Sequence, residues 1–346
     1  MDWGAILENT IRGLIGERFI VFALAAIGLN LHFGYTGLLN FGQAVFMAAG
    51  AYGLAITVVT IGPRLNDPDG LDLGLSTTTL FWLGVFVAVV VFPLIMALIM
   101  GIPTLRLRAD YLAIVTIAAA EIFRLIARSP RFDWLTGSSD GLSGFSKTFY
   151  DMSPFDPGGR YLFDLFIGNQ MFLVLVGWVV LALSAFTCWL IIRSPWGRVL
   201  KAIREDEDAA RSLGKNAYWY KMQALMLGGI FGAIGGMLRA IGFSLAQPDN
   251  FITDVTFFVW VALILGGAGK IMGPLIGAAI LYGILDFTDI FLRQGVANGN
   301  IPESIMTGTQ VGQVRFMLMG LGLVLLAAFR PQGIIGNKEE MALDDR

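Results

Sequence analysis

Charged residues are scarce in this sequence: 14% of its 346 residues are Asp, Glu, Lys or Arg, whereas 56% are apolar. Because soluble domains carry about 25% charged residues, this composition excludes an ordinary soluble domain and predicts a membrane protein. The net charge of −2 provides no basic surface for a nucleic acid.

Cysteine and histidine are rarer still, since the chain has one of each, Cys188 and His32. A single cysteine forms no disulfide within the chain, and neither residue has the neighbours that a zinc site needs. One histidine without a nucleophile motif beside it gives no basis for a Ser/His/Asp triad. We therefore expect a protein that is not an enzyme and that holds no metal or cofactor.

Long apolar runs are what the sequence has in abundance. Because about 20 apolar residues cross the hydrocarbon core, these runs predict an all-α polytopic membrane protein with about nine transmembrane helices, between eight and ten. Two runs are short and lie beside glycines, which favours broken or re-entrant helices. The nine are Phe19–Phe33, Gly37–Ile61, Thr79–Ile102, Tyr111–Ala127, Gly168–Ile192, Met222–Phe243, Val255–Leu265, Ile271–Leu292 and Gln313–Phe329.

Glycines recur every fourth residue at Gly228, Gly232 and Gly236, and again at Gly273 and Gly277. Small residues at this spacing let helix backbones approach closely in lipid. We therefore predict that these positions are tight helix contacts rather than parts of a binding site.

Charge divides the loops into two sets. If the spans alternate, the acidic loops 62–78 and 129–167 lie on one side and the basic residues on the other. The positive-inside rule then places the basic side and the C-terminus in the cytoplasm and makes 129–167 an extracytoplasmic loop. The side of the N-terminus stays open, because Arg12 and Arg18 oppose the span count. The basic side holds Arg106, Arg108, the segment Arg193–Lys221, Lys270, Arg330 and Lys338.

The segment Arg193–Lys221, called the charged segment below, carries eleven Asp, Glu, Lys and Arg residues. Its neighbours Gly168–Ile192 and Met222–Phe243 together carry one, Arg239. Residues at intervals of three or four predict a short surface helix that Gly214 ends. We expect this segment, Arg193–Lys221, to be cytoplasmic. The spaced residues are Arg198, Lys201, Arg204, Asp208 and Arg211.

Within the charged segment, Asp208-Ala209-Ala210-Arg211-Ser212-Leu213-Gly214 resembles the E-A-A-x-x-x-G signature of ABC-importer permeases, with Asp in place of Glu. The alternative interpretation is an ordinary solvated connector. Six further blocks resemble the longer, M-type permease of branched-chain amino acid importers: Gly28–Leu31, Gly34–Ala44, Leu105–Thr116 with Glu121–Arg124, Thr136–Leu142, Leu265–Ala278 and Phe329–Gly333.

This resemblance implies one transmembrane domain over residues 1–346, a multi-pass protein of a prokaryotic cytoplasmic membrane. It implies four kinds of contact: a second homologous permease, two cytoplasmic ATPases, an extracytoplasmic substrate-binding protein and lipid. It also implies that a coupling helix in the charged segment contacts the ATPases. The residues assigned to that role are Arg198, Lys201, Arg204, Asp208, Ala209, Ala210, Arg211 and Gly214.

Polar residues inside apolar runs are the candidates for a translocation pathway, because in lipid they need a hydrogen-bond partner or water. These are Asn30, Asn40 and Gln43, and the pair Glu121 and Arg124. For the pair, an ion pair at the membrane interface is the alternative interpretation. We expect the lone His32 to be a structural residue.

Two other functions fit parts of the sequence. Importers of urea, short amides and other amino acids share the same permease architecture, so the substrate rests on the resemblance alone. An ion-coupled secondary transporter needs paired carboxylates beside unwound helices at mid-membrane, and only Glu121 approaches that. Gly269-Lys270 lacks the other residues of a phosphate-binding loop, so ATP hydrolysis is assigned to a partner.

Overall fold

The computed structural model describes residues 3–67, 72–107, 109–162, 164–298, 307–330 and 332–335. Arg108 and Lys338, named above, and Pro331 of the block Phe329–Gly333 lie outside these ranges. The long apolar runs form helices, because a helix satisfies its backbone hydrogen bonds without water. The longer helices are α1 (Trp3–Ile15), α2 (Glu17–Leu29), α3 (Gln43–Ala55), α5 (Thr77–Phe86), α6 (Phe92–Thr104), α7 (Ala109–Arg128), α10 (Gly168–Arg193), α11 (Pro195–Glu205), α13 (Ala217–Phe243), α14 (Thr253–Gly266), α15 (Gly273–Ala297) and α16 (Val311–Phe329).

Shorter elements complete the chain. Three π-helical turns, Asn30–Gly34, Ile56–Ile61 and Val87–Val91, continue α2, α3 and α5, and the apolar patterns did not predict them. The short helices are α4 (Gly62–Leu65), α8 (Asp133–Thr136), α9 (Lys147–Asp151) and α12 (Glu207–Ser212), with 3₁₀ turns at Pro130–Phe132 and Pro248–Phe251; the strands are β1 (Leu142–Ser143), β2 (Arg160–Tyr161), β3 (Phe166–Ile167) and β4 (Leu245–Ala246).

The described residues confirm an all-α membrane protein, but the count of nine spans is not confirmed. Seven segments are long and apolar enough to cross a membrane. The 20-residue α7 is not among them, because it carries Glu121, Arg124 and Arg128. The seven are Trp3–Gly34, Gln43–Leu65, Thr77–Thr104, Gly168–Arg193, Ala217–Phe243, Pro248–Gly266 and Gly273–Ala297.

Helix α13 lies at the centre and packs against α2 and α3 with its backbone close to theirs. A β-carbon built at Gly236 would lie 1.9 Å from the Met47 carbonyl oxygen, and one at Gly232 would lie 2.5 Å from the Gln43 amide nitrogen. At Gly277 the same atom would lie 1.8 Å from the Ala262 carbonyl oxygen. The prediction that these glycines are tight helix contacts is therefore confirmed.

The two ends of α13 define two faces of the molecule. The end at Ala217 follows the charged segment, and we call that side the basic face. At the other end, Tyr150 donates a hydrogen bond to the Ile241 carbonyl (3.1 Å), and β1 pairs antiparallel with β4 so that Leu142 lies opposite Ala246. Burial raises the pKa of the Tyr150 hydroxyl to about 12, which keeps the hydroxyl a donor. Residues 129–167 thus cover the opposite side, the acidic face.

The N-terminal helix lies on the acidic face. The indole nitrogen of Trp178, three turns into α10, donates to the Ile15 carbonyl (2.9 Å), and Arg12 donates to Gln170 near the start of α10. The sequence left this end undecided. Residues 332–335 lie toward the basic face, where the backbone amides of Ile334 and Ile335 donate to the carbonyls at the end of α14.

Which face is cytoplasmic is a prediction that labelling can test. With the buried Cys188 replaced by alanine, Ser212→Cys and Ser139→Cys each add one thiol at an exposed position, on the basic and acidic faces respectively. We expect a membrane-impermeant maleimide to label Ser212→Cys only from the cytoplasm and Ser139→Cys only from outside. Labelling of both variants from the same side would contradict this topology.

Candidate coupling surface and buried polar network

The charged segment forms two helices rather than the single predicted helix. Asp206 lies between α11 and α12 with extended backbone angles (φ −154°, ψ 106°). Its side chain accepts hydrogen bonds from the amides of Asp208 and Ala209, both at 2.9 Å, and so begins a second helix. The predicted spacing is correct within each helix but does not continue across Asp206.

Gly214 ends α12 with a φ of +77°. The amide of Gly214 donates to the Arg211 carbonyl (2.9 Å), and the amide of Lys215 donates to the Ala210 carbonyl (3.2 Å). These two bonds form a Schellman motif, which favours glycine because a β-carbon disfavours the left-handed conformation. The predicted helix stop at Gly214 is confirmed.

One side of α12 is fixed to the membrane helices. Ala210 packs with Ile203 of α11 and Ala217 of α13, and each of the three side chains is at most 3% exposed. Glu207 adds ion pairs to Lys221 of α13 and to Arg211, the latter at 2.6 Å. The helix is therefore held in a defined orientation on α13.

The other side of α12 is exposed. The side chain of Asp208 is 94% exposed, and Leu213, a large apolar residue, is 80% exposed. Ala209, Arg211 and Arg198 are also exposed. Of the residues assigned to coupling, Asp208, Ala209, Arg211 and Gly214 are exposed on or just after α12 and Arg198 is exposed on α11, whereas Ala210 is buried.

Lys201 and Arg204 are also exposed, but each contacts a residue of the membrane helices or of the segment after them. The Arg204 guanidinium donates to the carbonyl of Gly34, and the Lys201 ammonium lies 5.8 Å from the centre of the Tyr35 ring. Gly37, with a φ of +75°, passes close to the side chain of Arg204. These two basic residues thus attach α11 to the π-helical turn Asn30–Gly34 and the residues that follow it.

A network of buried polar side chains begins at that turn. The His32 Nε2 atom lies 3.1 Å from the Leu225 carbonyl, and its Nδ1 atom lies 3.0 Å from the Asn40 amide nitrogen. Because the Asn40 amide donates and the Leu225 carbonyl accepts, these bonds fit a neutral ring with its proton on Nε2. His32 is therefore bonded on both sides, as expected of a structural residue.

Asn30 and Gln43 extend this network between helices. Asn30 accepts from the Gly269 amide (2.8 Å) and donates to the Lys270 carbonyl (2.9 Å), which fixes the glycine-rich turn after α14. Gln43 donates to the Ala25 carbonyl (3.1 Å) and accepts from Asn40 (3.3 Å). Asn30, Asn40 and Gln43 are at most 1% exposed in this conformation, and their role in the pathway stays a prediction.

Glu121 and Arg124 form a bidentate ion pair near the acidic face, and a third residue joins it. The Arg124 guanidinium bonds both carboxylate oxygens of Glu121 at 2.5–3.1 Å and also bonds Asp249 at 2.6 Å. Arg128 lies 3.5 Å from the same Asp249 oxygen. Arg124 is 15% exposed and Glu121 is 40% exposed, so the arginine is the buried centre of the cluster.

Two functional candidates were missed in the sequence. Asp206 gives a detectable signal, because an aspartate followed by acidic residues is typical of a helix start. Asp249 gives none, because it lies 125 residues from Arg124 and reaches it only through the fold.

Comparison with known proteins then identifies the family. A family model described as the permease component of a branched-chain amino acid transport system matches residues 14–328. The chain belongs to this family. The high-affinity branched-chain amino acid transport system permease proteins LivM of Salmonella typhimurium and Escherichia coli are each 30% identical to it over 332 residues, 93% of this chain and 69% of each relative.

The alignment with a more distant relative covers almost the full length of both chains. The probable branched-chain amino acid transport permease protein LivM of Methanocaldococcus jannaschii is 23% identical over 344 residues, 92% of each chain. No solved structure matches the chain. Membership of the branched-chain permease family confirms the resemblance found in the sequence. It makes the protein a multi-pass membrane subunit of an ABC transporter, which also includes ATPase subunits.

The cluster around Arg124 yields a prediction about ion pairing. Removing Glu121 leaves Arg124 bonded to Asp249, so Glu121→Gln should cost at most about 1 kcal/mol of stability, as for exposed pairs. Arg124→Gln removes the cation between two carboxylates and should cost about 1–3 kcal/mol. Thermal unfolding of the purified permease complex, followed for both variants and the double variant, measures this difference.

Arg131→Gln is the matched control, because Arg131 is exposed on the same face. Equal losses from Glu121→Gln and Arg124→Gln would contradict the assignment of Arg124 as the centre of the cluster.

Proposed function

We propose that this protein is the M-type permease subunit of an ATP-driven importer of branched-chain amino acids. The match to the permease family over residues 14–328 is the observation that carries the proposal. In this assembly the chain pairs with a second homologous permease, two cytoplasmic ATPases and an extracytoplasmic substrate-binding protein. The protein itself hydrolyses no ATP.

The exposed surface of α12 supports an ATPase contact. Asp208, Arg211 and Leu213 project from a helix that is clamped on its other side by Ala210 and Glu207. An exposed leucine next to charged side chains suits a docking site with an apolar centre and a polar rim. The clamp means that the docked helix moves with α13 rather than independently of it.

The inward contacts of α11 provide the next step in the proposed mechanism. Arg204 bonds the Gly34 carbonyl at the end of the π-helical turn, and Asn30 within that turn bonds Gly269 and Lys270. A shift of the charged segment driven by the ATPases would therefore act on α2 and on the turn after α14. These elements surround the buried polar network that we assign to the pathway region.

The exposed apolar side chains on α7 support the proposal that this helix faces the second permease or lipid. Ile114 and Ile122 are 64% and 57% exposed, and Tyr111 is 61% exposed. A continuous apolar surface of this kind is covered in a membrane complex by lipid or by another apolar helix.

Reconstitution tests the proposed function directly. Proteoliposomes that contain this chain, the second permease and the ATPases should take up leucine only when ATP is inside and the binding protein is outside. Excess urea should leave leucine uptake unchanged. Uptake driven by an ion gradient without ATP would instead support a secondary transporter and overturn the proposal.

Gly214 provides a test of coupling with a matched control. A β-carbon there would meet nothing within 4 Å, so a substitution acts through the backbone φ of +77° and not through a clash. Gly214→Val should raise the free energy of the Schellman turn by about 1–2 kcal/mol and so impair transport-coupled ATP hydrolysis. Gly214→Asn should retain most of the coupled rate, because asparagine tolerates the left-handed conformation.

Both variants should insert into the membrane as the wild type does, since α12 lies outside the spans. Equal coupled ATPase rates for Gly214→Val and Gly214→Asn would show that this turn has no part in coupling.

A further inference from the structure

A cleft opens on the acidic face, apart from the charged segment. Its volume is about 580 Å³, and α2, α13, α14 and α15 supply most of its walls. This volume falls in the range of about 300–1,000 Å³ that is usual for small-molecule sites. The walls combine apolar side chains with charges of both signs. Asp249, which bonds Arg124, is one of them, and the other charged residues of the walls belong neither to the coupling surface nor to the buried network.

Arg239 is the distinctive residue of this cleft. Its guanidinium lies over two aromatic rings, 5.6 Å from the centre of Phe22 and 5.4 Å from the centre of Phe243. The Nε atom is buried and has no hydrogen-bond partner among the described residues. A buried donor without an acceptor is costly, so an arginine held in this way calls for an acceptor. The two rings fix the guanidinium, whose fork of donors matches a carboxylate.

The other cations of the cleft already have partners. Arg18 bonds Asp286 at 3.2 Å, and Arg293 bonds Asp289 at 2.9 Å. Asp286 and Asp289 thus each pair with an arginine. Glu17 interacts electrostatically with Arg239, but no ion pair or hydrogen bond joins these two side chains among the described residues. The carboxylate of Glu17 fits beside α13 because residue 242 is a glycine: a β-carbon there would lie 2.1 Å from its Oε1 atom.

We propose that this cleft binds an α-amino acid with an apolar side chain. Arg239 binds the carboxylate of the amino acid, and Glu17 binds its ammonium group. Val21, Val255 and Leu285 line the same cleft and provide apolar contact for the side chain. The proposal rests on the function proposed above, since it assigns to that importer a receiving site on the face where the binding protein delivers its substrate.

The first test compares uptake with ATP hydrolysis in the reconstituted complex. Arg239→Gln should lower leucine uptake by about tenfold or more, because it removes a charge-assisted bond to the substrate. ATP hydrolysis stimulated by the loaded binding protein should stay within about twofold of the wild type, because the coupling surface is unchanged. A structural defect would lower both rates together. Arg12→Gln, the same substitution on the acidic face outside the cleft, should change neither rate.

The second test measures binding without the substrate-binding protein. Saturation-transfer NMR of the purified permease–ATPase complex should detect leucine, and the signal should fall strongly for Arg239→Gln and for Glu17→Gln. 4-Methylpentanoate, which lacks the ammonium group, should bind wild type and Glu17→Gln alike. If Arg239→Gln fails to assemble, Arg239→Lys decides the matter, since it keeps the charge but loses the planar fork.

The outcomes separate the two proposals. Unchanged leucine binding and uptake in the Arg239 and Glu17 variants would overturn the proposal that the cleft binds the amino acid. A parallel loss of uptake and stimulated ATP hydrolysis would do the same. A wild-type complex that takes up no leucine would overturn the importer assignment, whereas leucine binding that depends on Arg239 would still support the cleft.

Discussion

Close contact between the backbone of α13 and those of α2 and α3 is the constraint on which the rest of this structure depends. A β-carbon at Gly28 would lie 2.2 Å from the Gly228 carbonyl oxygen, and one at Gly50 would lie 1.9 Å from the Ala233 carbonyl oxygen. Lipid offers no hydrophobic drive for helices to associate, so contact at this distance is what holds them together. It also brings the His32 ring within 3.1 Å of the Leu225 carbonyl, which no larger residue at position 228 would allow.

This close packing explains why the polar residues of the first broken region are tolerated in a membrane. Asn40 contacts His32 and Gln43 and accepts a hydrogen bond from the Gly42 amide, while its own carbonyl accepts from the Trp260 indole. The bond from His32 to the Leu225 carbonyl joins the turn after α2 to α13, two elements that the glycine contacts hold together. The network then continues through the Asn30–Gly34 turn to Arg204 on the basic face. The protein thus has an unbroken line of polar contacts from the charged segment to the centre of the helix bundle.

Much of this fold follows from the sequence, because length, apolarity and glycine spacing act locally. The apolar runs predict helices with ends close to those observed, and the four-residue glycine spacing predicts the tight contacts of α13. The single helix predicted for the charged segment is wrong, because charge periodicity continues past Asp206 while the backbone does not. An N-cap aspartate competes with helix continuation through its own backbone bonds, and that local signal outweighs the periodicity.

The sequence could not predict which polar residues pair with each other, because it shows that a polar side chain needs a partner but not which partner it has. A polar side chain in an apolar run must be satisfied, but an internal hydrogen bond and a bound ligand meet that need equally well. Gln43 and Arg239 therefore look alike in sequence, each a polar residue among apolar ones. The fold separates them: the Gln43 side chain donates to the Ala25 carbonyl and accepts from Asn40, whereas the Arg239 Nε atom has no acceptor among the described residues and lines a cleft with Glu17. What points to a ligand at Arg239 is a buried donor without an acceptor at the wall of a charged cleft, and this combination becomes visible only after folding.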